Sequence, residues 1–482
     1  MFLGIDLGTG SLKALLMAED GKVIAEASES YQVNSPQPKW AETDPWVWWR
    51  ACVNSLNKIV QRIGSAKTAI KGIGLSGQMH GVVLCDRALQ PLRPAILWAD
   101  GRASESLKVY QQLSPSMQRR LANPLVVGMA GVSLLWLKQH EEALYQQAVW
   151  ALQPKDWLRV QLTGLVASKP HSEPSDASAT LLYDLAADDW AWDILEVLGL
   201  RGEMLGGVVG SSTPLASLSP QAAQTLNLPQ NIQVIAGAGD AAASALGSGL
   251  IQEGQVQVNI GTAMQIFAIR YQAHIDPNLK THLYRNALDG YYAMAAMQNA
   301  GIVLEQVRKL LQLSWTEMYE EAFSLESSEG LSFLPYITGE RTPHLNPKAK
   351  ATWHGLSLRH TRGHMARSAF EGVAFALKDG LLALEATGIR AEYLRFVGGG
   401  TLDKRWQQLV SDILAKPLYA SDVSDSSARG AAFLAALGLE ALSVQDIIDM
   451  TSQSRGIAQP KPSPDLSEAY QRFSALYPRL YG

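Results

Sequence analysis

The sequence predicts an α/β protein of two domains, and three observations carry this prediction. The chain has 482 residues, more than one ordinary domain holds. Hydrophobic residues make up 47% and charged residues 18%, which suits sizeable cores and excludes a disordered chain. A strand–Gly-Thr–strand pattern opens the sequence and returns near residue 250. We therefore expect an N-terminal domain over residues 1–246 and a C-terminal domain over residues 247–482.

The first half begins with a predicted antiparallel meander. Strands over Phe2–Ile5 and Leu12–Met17 flank the turn Gly8-Thr9-Gly10, and Asp20-Gly21 turns the chain into a third strand. Thr43-Asp44-Pro45 is typical of a helix start, since a capping residue precedes a proline in the first turn. Further strands are predicted over Ile70–Leu75, Val82–Cys85 and Ile232–Ala236.

The second half repeats this opening. Predicted strands over Gln255–Ile260 and Met264–Arg270 flank the turn Gly261-Thr262, and glycines at 247, 249 and 254 suggest a hinge before them. The remaining predicted elements are helices over about 301–311, 364–386 and 403–415, a strand over Tyr393–Val397, and a C-terminal helix after Pro464. The repeated pattern predicts an architectural duplication.

Composition excludes several function classes. The 41 Lys and Arg residues nearly balance the 45 Asp and Glu residues, so no basic face for nucleic acid is expected. Two cysteines, Cys52 and Cys85, cannot make a disulfide framework or a cysteine-rich metal site. The N-terminus lacks the basic segment of a signal peptide, and no apolar run approaches the ~18–20 residues of a membrane span. We expect a soluble, cytoplasmic protein without a membrane partner.

The two glycine-containing turns are candidate phosphate-binding loops. Small residues let backbone N–H groups approach an anion, and the first turn lies in the segment Asp6–Lys13, which adds a hydroxyl and a lysine. A tight hairpin is the alternative for either turn taken alone. Recurrence in both halves favours function, because two such turns can grip the two ends of a polyphosphate. The sequence therefore predicts a nucleotide in a cleft between domains.

Asp240 is a candidate catalytic carboxylate. It follows a predicted strand and the turn Gly237-Ala238-Gly239, and a carboxylate there can take a proton from an attacking hydroxyl. A helix N-cap is the alternative that local sequence alone favours. The G-x-G-x-x-A pattern also resembles a dinucleotide fingerprint, but the acid required about 20 residues later is missing at Asn259. An NAD-dependent oxidoreductase is therefore disfavoured.

The segments Gly77–Gly81 and Leu97–Arg102 offer groups suited to a polyol or sugar. His80 supplies an imidazole, Trp98 an apolar wall and Asp100 a carboxylate. The structural alternatives are a histidine satisfied within the protein and an ordinary Asp-Gly turn. Without further context those alternatives are favoured.

Together these segments resemble the FGGY family of carbohydrate kinases, and within it the xylulokinases. The resemblance runs from Phe2 to about Leu437. Its markers are Gly4–Thr9, Trp40–Pro45, Gly77–Gly81, Leu97–Arg102, Pro154–Asp156, Ser175–Ser178, Gly237–Asp240, Phe333–Tyr336, Gly339–His344, Glu371–Ala374 and Gly398–Gly400. Each marker is weak alone, but this order and spacing are highly specific.

The resemblance implies a fold and a reaction. The fold is the two-domain actin-like, sugar kinase and Hsp70 (ribonuclease H-like) ATPase fold, with α/β domains around a deep interdomain cleft. The reaction is transfer of the ATP γ-phosphoryl group to D-xylulose, with ATP and Mg²⁺ bound in the cleft. Since the family often forms dimers, the resemblance also allows for a homodimer.

The resemblance also implies residue roles. Asp240 matches the general base, and Asp6 matches the carboxylate near Mg²⁺, with Asp240 beside it. The predicted sugar contacts are Met79, His80, Trp98 and Asp100, together with Asp240. The predicted nucleotide contacts are Gly8, Thr9 and Lys13 in the first phosphate loop, Gly261 and Thr262 in the second, and Gly301, Gly399 and Gly400 at the adenosine pocket.

Two departures from the family pattern bear on activity. Ala263-Met264 stands where the family usually has Ser and Gly, and the bulkier Met264 is expected to narrow the nucleotide site. The segment Ser426–Gly430 lacks the acid often found before this alanine-rich helix. The alternatives are a kinase for another pentulose or polyol, such as ribulose, L-xylulose or xylitol, and a sugar-sensing relative with weak catalysis, which Ala263-Met264 alone supports.

Overall fold

The structure is a computed structural model that describes residues 1–164, 170–401, 403–420, 425–452 and 454–481. Within these residues each half of the chain builds one mixed sheet of seven strands. Smaller two-stranded pairings join Glu42–Thr43 to Ala95–Ile96, Val83–Cys85 to Trp150–Leu152, His171–Ser172 to Gly207–Val208, Tyr183–Asp184 to Asp189–Trp190, and Ser332–Leu334 to Thr352–His354.

The first sheet contains the predicted meander at one side. Its strands, in order across the sheet, are Pro214–Ser217, Gln233–Ile235, Gly72–Gly77, Phe2–Leu7, Ser11–Met17 and Val23–Ser30, and Ala238–Gly239 also pairs with the third of these. The first strand of the chain is central, since it pairs antiparallel with Ser11–Met17 and parallel with Gly72–Gly77. The turn at Gly8 and Thr9 therefore lies at the end of the sheet's middle strand.

The second sheet repeats this order. Its strands are His282–Arg285, Tyr291–Met297, Met264–Arg270, Val256–Ile260, Leu394–Val397, Leu418–Ala420 and Arg455–Ala458. Val256–Ile260 occupies the central place, antiparallel to Met264–Arg270 and parallel to Leu394–Val397. The matching order supports the duplication that the two strand–Gly-Thr–strand patterns predict.

The described helices surround the sheets, and none of them is both long and apolar enough to cross a membrane. Asp44 caps the first long helix by accepting a hydrogen bond from the Trp46 backbone N–H, so this helix begins where the sequence predicts. The helices are Pro45–Ile63, Leu107–Gln111, Pro115–Arg120, Ala130–His140, Glu142–Gln147, Pro154–Thr163, Pro174–Ala177, Trp192–Leu198, Pro220–Leu226, Asp240–Gly247, Gly301–Leu310, Trp315–Phe323, Arg362–Glu385, Lys404–Leu414, Ser426–Gly438, Val444–Thr451 and Pro464–Tyr481.

The alanine-rich helix Ser426–Gly438 belongs to the second half of the chain but packs against the first sheet. A Cβ atom at Gly4 would lie 1.8 Å from the Ala428 carbonyl oxygen, so backbone meets backbone there. A Cβ atom at Gly430 would similarly lie 1.8 Å from the Ala243 carbonyl oxygen in the helix Asp240–Gly247. These two helices thus connect the halves of the chain beside Asp240.

Candidate active site

The first glycine turn is held by hydrogen bonds from three directions. The Gly8 backbone N–H donates to the Ser11 carbonyl oxygen at 3.0 Å. The Tyr31 hydroxyl donates to the Gly8 carbonyl oxygen at 2.5 Å. The Trp98 indole N–H donates to the Thr9 hydroxyl oxygen at 2.8 Å. Trp98, predicted as a sugar contact, therefore bonds to the first phosphate loop and links it to the segment predicted to hold the sugar.

Asp6 and Asp240 are the candidate reactive carboxylates. The Ser76 hydroxyl donates to Asp6 Oδ1 at 2.8 Å, and burial raises the pKa of Asp6. Asp240 is the first residue of its helix and Gly239 is the N-cap, so the capping alternative for Asp240 is wrong. Burial raises the pKa of Asp240 to about 7, and the negative charge of Asp6 adds to this shift. A carboxyl group with that pKa can exchange a proton at neutral pH.

The two carboxylates fit a Mg²⁺ ion that also binds substrate phosphates. Carboxylate oxygens are the hard ligands that Mg²⁺ prefers, and a bound cation would relieve the repulsion between Asp6 and Asp240. Among the described residues no group of three or more His, Cys, Asp and Glu side chains could hold a metal. That sparse donor set suits Mg²⁺, which usually keeps water and phosphate oxygens in its coordination shell.

Lys13 forms an ion pair with Asp425, directly before the helix Ser426–Gly438. The prediction that this helix lacks a preceding acid is therefore wrong, because Asp425 stands one residue before the segment it concerned. The hydrogen bond to Asp425 raises the pKa of Lys13 and keeps its ammonium group charged. Phosphate oxygens would compete with Asp425 for this cation.

The second glycine turn gathers the other predicted nucleotide contacts. The Gly301 N–H donates to the Gly261 carbonyl oxygen at 3.0 Å, and the Ile302 N–H donates to that of Thr262 at 3.1 Å. A Cβ atom at Gly400 would lie 3.0 Å from the Ile260 side chain. The structure thus brings together the residues predicted for the second phosphate loop and adenosine pocket: Gly261, Thr262, Gly301, Gly399 and Gly400.

Met264 lies in the core of the second domain rather than in the open turn. Its side chain is completely buried, and its backbone pairs with Ile260 and Met297. Ala263 is the exposed member of the pair. The expectation that Met264 narrows the nucleotide site is therefore wrong, and with it goes the support for a sugar-sensing relative.

His80 is held as a neutral imidazole. Its Nδ1 atom lies 2.6 Å from the Ala179 carbonyl oxygen, which can only accept, so Nδ1 carries the proton and Nε2 has a free lone pair. Burial lowers the pKa of His80 to about 4. Met79 packs against the residue before Asp240, since a Cβ atom at Gly239 would lie 2.9 Å from Met79 Cγ. The predicted sugar segment and the predicted base therefore adjoin.

Aromatic side chains from the second sheet complete this region, and sequence reasoning missed them. The Tyr292 hydroxyl donates to Met79 Sδ at 3.6 Å. The Tyr284 ring stacks on His282, and its centroid is 6.2 Å from that of His80. Both tyrosines lie in strands whose apolar pattern indicates only a core. No local signal in the sequence marks them.

Arg341 is a second functional candidate without a predicted role, although it lies in the marker Gly339–His344. Its positive charge lowers the pKa of both His80 and His282, so it shares their surroundings. Burial lowers the pKa of Arg341 itself. In the described part of the chain its guanidinium forms no ion pair or hydrogen bond. A buried cation of this kind can donate to oxygen atoms of a substrate.

Asp100 is used inside the protein. Its Oδ2 atom accepts a hydrogen bond from the Ala41 N–H at 2.6 Å, and its Oδ1 atom accepts from the Arg102 N–H and Nε at 2.9 and 2.8 Å. The Arg102 guanidinium also stacks 3.5 Å over the Trp40 ring. A sugar contact by Asp100 stays a prediction, and this geometry does not favour it.

Comparison with known proteins gives these features a family context. Residues 1–247 match the N-terminal domain, and residues 256–439 the C-terminal domain, of the FGGY family of carbohydrate kinases. A xylulose kinase of Klebsiella pneumoniae is 36% identical over 90% of this chain and 89% of its own length. A xyloylose kinase from Brucella ovis has a crystal structure that matches with a TM-score of 0.93 and 32% identity, covering 99% of both chains.

Substrates differ among the similar proteins. A gluconate kinase from Lactobacillus acidophilus matches with a TM-score of 0.91 and 25% identity over 99% of this chain and 97% of its own. The expected two-domain sugar kinase fold is confirmed by these structures. With both domain families matched over most of the chain, this protein belongs to the FGGY family of carbohydrate kinases and is a sugar phosphotransferase.

Proposed function

We propose that the protein transfers the γ-phosphoryl group of ATP to D-xylulose, giving D-xylulose 5-phosphate, with Asp240 as general base. The observation that carries this proposal is the pKa of Asp240, raised to about 7 by burial and by Asp6. Met79 and His80 adjoin this carboxylate and match the sugar contacts of the xylulokinases. The similarity to xylulose kinases supports the choice of sugar.

In the proposed reaction Asp240 takes the proton of the sugar's terminal hydroxyl. The freed oxygen forms a bond to the γ-phosphorus as the bond to the bridging oxygen of ADP breaks, so one proton remains on Asp240. Above about pH 7 the carboxylate is ionised and ready to accept that proton. A base with this pKa suits catalysis at neutral pH.

The proposed nucleotide contacts come from both glycine turns. Backbone N–H groups near Gly8 and Gly261 would meet phosphate oxygens, and Lys13 would exchange Asp425 for a phosphate. Asp6 would hold Mg²⁺, which neutralises charge on the transferring phosphate when bound. An ATP-dependent reaction also leads us to propose the cytoplasm as its location. The homodimer stays a prediction.

The proposed sugar contacts are complementary in kind. His80 Nε2 can accept a hydrogen bond from a sugar hydroxyl, and the Arg341 guanidinium can donate to a carbonyl or hydroxyl oxygen. Such groups reject a sugar whose hydroxyl is misplaced, because a buried polar group would then lose its partner.

ADP release from Mg-ATP tests the proposal, measured across D-xylulose, L-xylulose, D-ribulose, L-ribulose, xylitol, glycerol and D-gluconate. Gluconate belongs in the panel because a gluconate kinase is among the similar structures. We expect the highest kcat/KM with D-xylulose. A clear preference for any other acceptor would overturn the choice of substrate while keeping the phosphotransferase. Silence across the panel with ATP bound would overturn the proposed function.

A further inference from the structure

A buried cluster of charged side chains lies behind the chain segment that leads to Asp240. Lys155 is completely buried, and its Nζ atom lies 2.8 Å from Asp156 Oδ1, 2.9 Å from Asp176 Oδ2 and 3.4 Å from Glu173 Oε1. Arg159 Nη1 lies 2.6 Å from Asp156 Oδ1. We call these residues the buried charge cluster: Lys155, Asp156, Arg159, Glu173 and Asp176. Neither the sugar nor the nucleotide assignments use them.

Ser175 connects the cluster to the residue before Asp240. The Ser175 hydroxyl lies 2.8 Å from Glu173 Oε1, and the Gly239 backbone N–H donates to the Ser175 oxygen at 2.9 Å. The hydroxyl has one proton, and a carboxylate can only accept, so that proton goes to Glu173. The oxygen lone pairs of Ser175 therefore remain to receive the Gly239 N–H. The direction of every bond in this chain is fixed.

Glu173 is itself fixed by several donors. Its oxygens accept from the backbone N–H groups of Ser175 and Asp176 at 2.8 and 2.9 Å, and from the Ser211 hydroxyl at 2.8 Å. A carboxylate held at this many points cannot reorient cheaply, since each lost bond would leave a buried polar group unpaired. The anchor for Ser175 is accordingly rigid.

The cluster holds the other end of the same segment as well. Arg159 Nη1 donates to the Ala236 carbonyl oxygen at 2.9 Å, three residues before Gly239. Lys155 also supports the strand that leads to the sugar segment, because a Cβ atom at Gly77 would lie 2.7 Å from Lys155 Cβ. One buried group of charges therefore supports both the predicted base and the predicted sugar contacts.

We propose that the buried charge cluster sets the position of Asp240 through the Ser175–Gly239 hydrogen bond, which makes Ser175 a positioning residue for phosphoryl transfer. This inference rests on the proposed function of Asp240. An apolar core would hold the segment as well against unfolding, since buried ion pairs are poor sources of stability. A network of fixed direction instead restricts where the carboxylate stands, and transfer rates depend steeply on such placement.

The variant Ser175→Ala tests this, with Ser248→Ala as its matched control. Ser248 is also buried, lies directly after the helix that Asp240 begins, and gives its hydroxyl to the Ala245 carbonyl oxygen. We expect Ser175→Ala to lower kcat by about 10-fold to 100-fold, with the KM for ATP within about twofold. Hydrogen exchange at the Gly239 amide should rise, and Ser175→Thr, which keeps the hydroxyl, should restore most of the kcat. The control should resemble the parent protein in all three measurements.

Three outcomes would overturn the proposal. They are an unchanged kcat in Ser175→Ala, an equal fall in the Ser248→Ala control, and unchanged exchange at the Gly239 amide. If the alanine variant does not fold, Ser175→Cys takes its place, since it keeps the volume but accepts hydrogen bonds poorly. If the parent protein phosphorylates no acceptor, the proposed function fails. The exchange measurement needs no substrate, so unchanged exchange would still count against the bond by itself.

Discussion

Asp240→Asn is expected to make the protein more stable at pH 8 and nearly inactive. Burial and the charge of Asp6 raise the pKa of Asp240 from 3.8 to about 7. Because this pKa is raised, the folded state keeps a proton that the unfolded chain releases between about pH 4 and pH 7. Stability of the parent protein is therefore lost as the pH rises through that window. Asparagine has no such proton to lose.

The size of the effect follows from the shift. Each pH unit inside the window removes about 1.4 kcal/mol from the free energy of unfolding of the parent protein. Two units lie between pH 5 and the pKa of Asp240, and no further loss occurs above it. The stability difference between Asp240→Asn and the parent protein should thus grow by about 3 kcal/mol from pH 5 to pH 8. Turnover should fall by at least ~100-fold, the scale of lost base catalysis.

Urea unfolding at pH 5, 6, 7 and 8, without nucleotide or Mg²⁺, measures the first effect, and the ADP-release assay measures the second. Asp289→Asn is the control, because Asp289 is exposed in a turn of the second domain and its effect should not depend on pH in this way. A stability difference that stays flat from pH 5 to pH 8 would refute the electrostatic reasoning. Near-normal turnover would remove Asp240 from the role of base.

Three more variants probe other parts of the site. Trp98→Phe removes the hydrogen bond to the first glycine turn and should raise the KM for ATP about threefold to tenfold, with the sugar KM unchanged. Arg341→Met should raise the sugar KM at least ~10-fold and raise the pKa of His80 in an NMR titration, because a nearby positive charge is gone. In Asp6→Asn the low-pH limb of the kcat/KM profile should move to lower pH, since the charge that raises the pKa of Asp240 is lost, and the Mg²⁺ requirement should increase. For Trp98, a change confined to the sugar KM would contradict the assignment, as would an unshifted histidine titration for Arg341 or an unshifted limb for Asp6.

Much of the fold was predictable because its signals are local. The meander follows from short apolar strands separated by glycine turns, and the strand Met264–Arg270 has the predicted bounds. Capping by Asp44 fixes the start of the first long helix. The two glycine turns repeat in sequence, and the two sheets repeat in order around them. Each of these features depends on a few neighbouring residues.

The site was less predictable because its contacts join distant parts of the chain. Lys13 pairs with Asp425, 412 residues away, and the Trp98 indole reaches the first glycine turn across 89 residues. Asp100 has a typical turn sequence, yet its carboxylate is taken by the Ala41 N–H. Arg341 is identified only once the tertiary fold brings it beside the histidines. Side-chain chemistry suggested these candidates, but which partner each one meets depends on packing.

The position of the helix Ser426–Gly438 has a consequence for how the protein is made. This helix covers Gly4 and Gly74 in the middle of the first sheet, where a Cβ atom at either glycine would meet its backbone. At about 5–20 residues per second, a ribosome needs roughly 20–80 s to reach Ser426 after it has made Gly4. During that interval the central strands of the first sheet have an uncovered face, so the N-terminal half cannot reach its final packing alone. The nascent chain therefore depends on its last hundred residues to finish its first.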